Sequence, residues 1–166
     1  MNNMYEYEEN LYKEGYNFIA GTDEAGRGPL VGPVVAGCVV FPKGYKNDLI
    51  NDSKKLTEKK REQLYDIIIK DAVTYGIGIV SAKEIDELNI YEASRKAMIK
   101  AYEEANKKVK IDYLLTDAMP ITTLDIPVLK IIKGDAKSVT IAAASILAKV
   151  TRDRILIDLD KKYPEY

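Results

Sequence analysis

Two kinds of spacing alternate along the chain. Residues 18–23 and 34–41 are short β-friendly runs on either side of a glycine- and proline-rich stretch, 26–33, and predict two strands joined by a turn. Thr57 stands where an N-cap is needed, and Leu64, Ile67, Ile68 and Ala72 then recur at helical spacing. Residues 73–80 read as a third strand. Asn89, with Glu92 three positions on, forms a variant capping box ahead of Ile90, Ala93, Ala97, Met98, Ala101 and Ala105, which predicts a second helix. The aliphatic runs 111–116 and 128–132, bounded by Asp117, Pro120 and Gly134, predict strands four and five. Gly134-Asp135 then opens a long helix through Ala142-Ala143-Ala144 and Ile146-Leu147 that ends before Pro164. The expected class is α/β: a mixed five-stranded sheet flanked by helices. No repeat or linker divides it, so residues 17–166 are read as one domain behind a loose N-terminal extension, 1–16.

Composition narrows the chemistry. A chain of 166 residues can bury about 70% of its unfolded surface, ample for a core. With no histidine, it cannot build a Ser-His-Asp or Cys-His triad, a histidine general base or a histidine-containing zinc site. Carboxylates, lysines, tyrosines and metal-activated water remain. Cys38, the single cysteine, lies in an apolar run and reads as a buried inert thiol in a reducing compartment. The acidic, tyrosine-rich start does not resemble a signal peptide, and the low-charge run 139–148 is too short to span a bilayer, so a cytoplasmic protein without membrane attachment is expected. The 25 basic and 26 acidic residues leave a net charge of -1, so any nucleic-acid footprint must be local.

Acidic residues mark the ends of three elements. Asp23 and Glu24 end the first strand, Asp117 closes the fourth and Asp135 begins the last helix. If these ends converge, they form an oxygen-rich cluster suited to Mg²⁺ or Mn²⁺. Two such ions about 4 Å apart can activate water on one side of a phosphodiester and stabilise the leaving oxygen on the other. Taken alone, Asp135 reads most simply as an N-cap, and Asp117 as the start of a turn. Glu24 can join Asp23 only if the strand bends, since neighbours on a regular strand face opposite ways.

Other motifs are weaker. The stretch from Gly26 to Gly32 reads GxGxxxG, out of register for a dinucleotide fingerprint and not at the start of a helix, and no P-loop is present. Bare backbone at Gly26 and Gly28 would let a sugar-phosphate chain approach, with Arg27 as a charged donor. Lys54, Lys55, Lys59, Lys60 and Arg61 form one basic cluster; Lys130, Lys133, Lys137, Lys149, Arg152 and Arg154 form another. Each reads as a solvated helix face or as a phosphate footprint. Ser145 and Lys149, four apart on one helix, suit a backbone phosphate.

Four blocks in order carry a family likeness. Asp23-Glu24-Ala25-Gly26-Arg27-Gly28-Pro29-Leu30-Val31-Gly32-Pro33-Val34-Val35 resembles the opening signature of bacterial ribonuclease HII. Asp52-Ser53-Lys54-Lys55-Leu56, Leu115-Thr116-Asp117-Ala118, and Lys133-Gly134-Asp135 followed by Ile141-Ala142-Ala143-Ala144-Ser145-Ile146-Leu147-Ala148-Lys149-Val150-Thr151-Arg152-Asp153 are similar to its later blocks. The resemblance implies an RNase H-like fold and a Mg²⁺- or Mn²⁺-dependent endoribonuclease, a monomer acting on RNA/DNA hybrids and on the 5′ side of ribonucleotides embedded in DNA. The ends left would be 5′-phosphate and 3′-hydroxyl; catalysis through metal-activated water, with no histidine in the chain, would in turn make the rate rise on the alkaline side of neutral. It places the metal-binding acids on Asp23, Glu24, Asp117 and Asp135, with Asp23 bridging. Gly26, Arg27 and Gly28 would read the ribonucleotide 2′-hydroxyl, and Ser53, Lys54, Ser145, Lys149 and Arg152 would contact phosphates. In the family the motif matched by Tyr163-Pro164-Glu165-Tyr166 continues to a tyrosine that stacks under the ribonucleotide; this sequence stops at Tyr166. The alternative is therefore a shortened module that binds hybrids yet needs the missing C-terminal segment to cut.

Overall fold

The computed structural model describes residues 3–26 and 32–162. Strands β1 (Ile19–Ala25), β2 (Val34–Val40) and β3 (Thr74–Val80) form an antiparallel meander. On the other side of β1, β4 (Tyr113–Asp117) runs parallel to it, and β5 (Val128–Ile131) runs parallel to β4. The resulting five-stranded mixed sheet has the order β3-β2-β1-β4-β5.

Both faces are covered, and the sequence of β2 shows why. Every one of its residues is buried, as expected of a central strand between two layers. Ala36, Cys38 and Val40 join the cluster built on Ala97, Met98 and Ala101 of α4 (Ile90–Asn106). Val39 belongs to the opposite cluster, with Ala143, Ala144 and Leu147 of α5 (Val139–Lys162) and with Leu64 and Ile68 of α2 (Glu58–Asp71). The helices approach closely because small residues meet them: a Cβ on Gly76 or Gly78 would collide with the α4 backbone, and one on Gly37 with the Ala144 carbonyl.

Local signals set the helix boundaries. The Thr57 hydroxyl accepts from the Lys60 N–H at 3.2 Å, and the Asn89 side chain accepts from the Glu92 N–H at 3.0 Å, as the capping patterns predict. A short helix that the sequence reading did not anticipate, α3 (Ala82–Leu88), is capped by Ser81 and buries no residue.

The N-terminal segment is not loose. It forms α1 (Glu6–Lys13), whose Leu11 is buried with Ile19, Leu115, Ile131 and Ile141. Apolar burial of Leu11, flanked by Tyr7, Tyr12 and Tyr16, ties the helix to the sheet. No helix among the described residues is long and apolar enough to cross a membrane.

Candidate functional site

The parallel pairing of β1 with β4 puts the C-terminal ends of both strands on one side of the sheet. Asp23 lies near the end of β1 and Asp117 is the last residue of β4. Asp135 arrives from a 3₁₀ turn, Gly134–Ala136, that precedes α5. One carboxylate oxygen from each of Asp23, Asp117 and Asp135 lies within 4.8 Å of the others. Asp23 and Asp135 are buried, so the charges meet where water screens them poorly.

The acids respond to that crowding. Burial, then the charges of Glu24 and Asp117, holds the Asp23 carboxyl well above the ordinary carboxylate range. Burial beside Asp117 and Asp52 pushes the Asp135 carboxyl up to about 6, against a partial counterpull from Lys54. The Lys54 ammonium stands 4.0 Å from Asp135 and is largely exposed.

Two backbone features hold the acids in place. The Asp117 Oδ1 accepts the Gly134 N–H at 2.8 Å, tying the end of β4 to the turn that carries Asp135. Ala118, just after Asp117, and Lys133, just before Gly134, both adopt positive φ, of 60° and 55°. Such backbone costs on the order of 1–3 kcal/mol and is characteristic of functional sites. Asp135 is not the N-cap of α5: that position is taken by Ser138, whose hydroxyl accepts the Ile141 N–H at 3.3 Å.

Glu24 lines the same cleft but lies outside the group of three. The strand stays regular through it, with Glu24 opposite Ala36 and Ala25 opposite Val35, and the positive φ of Gly26 comes only afterwards. The cleft measures about 410 Å³ and is also lined by Gly26, Ser53, Lys54, Ser145 and Lys149. The Ser53 and Ser145 hydroxyls are hydrogen-bonded to each other at 2.8 Å, joining the 3₁₀ turn Ser53–Lys55 to α5. A second space, lined by Tyr5, Glu8, Tyr12 and Phe41, is only about 20 Å³, too small for a nucleotide.

Arg152 departs from the expectation of a phosphate contact. Its side chain is buried, its Nε donates to the Pro33 carbonyl at 2.9 Å, and it fills the space beside Gly26. Seven residues beyond Ser145 it keeps the same azimuth on α5 but lies about 10 Å further along the axis, beside Gly26 and Pro33. Arg154 is engaged by Glu62 at 2.6 Å. Arg27 and Gly28, and the motif 163–166, lie outside the described residues. Asp52 and Arg61 were not singled out as individual site residues. The Asp52 carboxylate accepts the Lys54 N–H at 3.0 Å, capping the Ser53 turn, and its charge helps to raise the Asp135 carboxyl, while Arg61 lines the cleft and donates to the carbonyls of Ser53 and Leu56. Proximity of Asp52 to the Ser-Lys-Lys motif was the available signal.

The ribonuclease HII family model matches residues 20–166, nearly the whole chain. The chain belongs to the ribonuclease HII family. A ribonuclease HII of Caldanaerobacter subterraneus subsp. tengcongensis is 61% identical over 96% of this chain and 66% of its own length. Ribonuclease HII of Geobacillus sp. is 56% identical over 98% of this chain and 58% of its own length. The chain thus spans about 58–66% of these curated relatives. Among solved structures, ribonuclease H2 of Pyrococcus horikoshii superposes with a TM-score of 0.75 at 33% identity, covering 88% of this chain and 77% of that one. RNase HII of Archaeoglobus fulgidus, solved in complex with PCNA, gives 0.71 at 29% identity over 88% of this chain and 78% of that one. The fold is therefore RNase H-like, and the ribonuclease HII match spans all three clustered acids.

Proposed function

We propose that the chain is a metal-dependent endoribonuclease of the ribonuclease HII type, cleaving the RNA strand of RNA/DNA hybrids and the 5′ side of ribonucleotides embedded in duplex DNA. The observation that carries this is the convergence of buried Asp23 and Asp135 with half-buried Asp117, from three separate elements, into one group.

The donor set fits a hard divalent cation. It offers carboxylate oxygens, with no histidine in the chain and the only cysteine buried elsewhere. Burial and then mutual repulsion raise the Asp23 and Asp135 carboxyls, a penalty on their charged forms that a bound divalent ion would offset. Mg²⁺ or Mn²⁺ bound there supplies Lewis acidity to a phosphoryl oxygen and lowers the pKa of water. Asp23, Asp117 and Asp135 hold it, and Glu24 adds a carboxylate on the cleft wall.

The remaining lining residues orient the substrate. Lys54 and Lys149 are exposed enough to meet backbone phosphates, and the Ser53–Ser145 pair offers hydroxyls between them. Gly26 presents bare backbone beside the acids, followed in sequence by Arg27 and Gly28, the proposed readers of the ribose 2′-hydroxyl. The products would carry 5′-phosphate and 3′-hydroxyl ends.

The test is a DNA duplex containing one ribonucleotide, incubated with Mg²⁺ or Mn²⁺ and either this chain or Asp23→Asn. Cutting 5′ of the ribonucleotide, lost in the variant, supports the reading. A folded chain that binds the duplex without cutting it would replace this reading with that of a hybrid-binding module.

A further inference from the structure

Glu8 is an acid in an unlikely place. It belongs to α1, is 4% exposed, and reaches the start of a helix far along the chain. Its Oε2 accepts three hydrogen bonds: from the Ser138 hydroxyl at 2.6 Å, the Thr140 hydroxyl at 2.7 Å and the Thr140 backbone N–H at 3.1 Å. The same segment makes a second contact, where the Met4 carbonyl accepts the Val139 N–H at 2.8 Å.

These contacts complete the N-terminus of α5. The first N–H groups of a helix have no partner within it. Here the Val139 and Thr140 groups are taken by Met4 and Glu8, and the Ile141 group by Ser138. Ser138 is also where the Asp135 turn closes: its N–H donates to the Gly134 carbonyl at 2.8 Å. The Gly134 N–H in turn donates to Asp117. A continuous run of hydrogen bonds therefore leads from Glu8 through Ser138 and Gly134 to the carboxylate cluster.

We propose that Glu8 is a positioning residue for the metal site, fixing the Ser138–Gly134 turn so that Asp135 meets Asp23 and Asp117. It touches neither substrate nor metal. The inference rests on the reading of Asp135 as a metal ligand. Burial, the largest influence on the Glu8 carboxyl, raises it above the ordinary range. Gln is therefore the fitting conservative replacement, keeping one oxygen for the three donors without a charge.

The test measures Mn²⁺ affinity of the metal-loaded protein by electron paramagnetic resonance for wild type, Glu8→Ala, Glu8→Gln, Asp135→Asn and the double variant Ser138→Ala/Thr140→Val. Removing partners that orient metal ligands lowers affinity by about 10-fold or more. The expected result is that loss in Glu8→Ala, recovery of most of it in Glu8→Gln, and a comparable loss in the double variant. Wild-type Mn²⁺ affinity in a folded Glu8→Ala, with Asp135→Asn impaired, overturns the positioning role alone. Should Glu8→Ala fail to fold, the double variant decides: wild-type affinity there overturns the role, and weakened affinity supports it. Undiminished binding in Asp135→Asn overturns both the metal-ligand reading and the inference built on it.

Discussion

The carboxylate of Asp117 accepts the backbone N–H of Gly134 at 2.8 Å, so an acid of the cluster also fastens the turn that delivers its neighbour Asp135. The two duties separate by substitution. Asp117→Asn keeps an oxygen for Gly134, whereas Asp117→Ala leaves that N–H without its acceptor. Both should abolish metal-dependent cleavage, but only the alanine variant should lose in addition about 1–2 kcal/mol of stability, read from urea unfolding. Equal stability of the two variants would show that the bond is not a fastening.

The clustered acids set a pH dependence with a defined sign. Asp135 has an ordinary value of 3.8 and stands at about 6 in the folded chain. A raised acid stabilises the fold fully below 3.8, and that contribution is lost as pH rises to about 6. In EDTA, Asp135→Asn should therefore overtake wild type in stability across this interval and hold its lead above it, and saturating Mg²⁺ should cancel that lead. Unfolding midpoints that stay parallel with pH would contradict this.

Gly78 sits where β3 meets α4, and a Cβ there would overlap the Ala97 carbonyl oxygen, a backbone atom that cannot swing aside. Gly78→Ala should destabilise by about 1–3 kcal/mol, the usual cost of overpacking. Chemical denaturation would record it, and an unchanged midpoint would mean that α4 is held less tightly than its geometry indicates.

Asn89 joins α3 to α4 at a φ of 80° while its side chain caps the second helix. Asn89→Gly keeps the backbone and should cost only a few tenths of a kcal/mol; Asn89→Ala loses the cap and strains the backbone, and should cost about 1–2 kcal/mol. Thermal melts of the pair distinguish the two contributions.

Much of the architecture was legible because local chemistry and tertiary packing agree. Thr57 and Asn89 cap the helices they mark, and the aliphatic runs around Cys38 and Leu114 form strands in the core. Acids at element ends made a cluster of Asp23, Glu24, Asp117 and Asp135 conceivable, and the strand order brings Asp23, Asp117 and Asp135 together with Glu24 outside the three. What stayed hidden was set by depth. Spacing places Arg152 on the same helix face as Ser145 but does not show it packed against Gly26 and Pro33, where its charge is buried. Glu8 looks like one more surface acid of a charged helix, because its partners lie beyond residue 137. Helix α3 buries none of its residues, so it leaves only a weak apolar rhythm.

Parallel pairing of β1 with β4, with Thr22 opposite Thr116, also determines when the acids can meet. Strands β1 and β2 can pair across one short connection, but β1 and β4 are separated in the chain by β2, α2, β3, α3 and α4. Such long-range closure is slow and comes at an entropic cost. A chain still being synthesised thus carries its acids apart, and can gather them only once β4 and the turn before α5 have been made. Acquisition of divalent-ion binding would then report the joining of β4 and the Asp135 turn to β1, not the earlier pairing of β1 with β2.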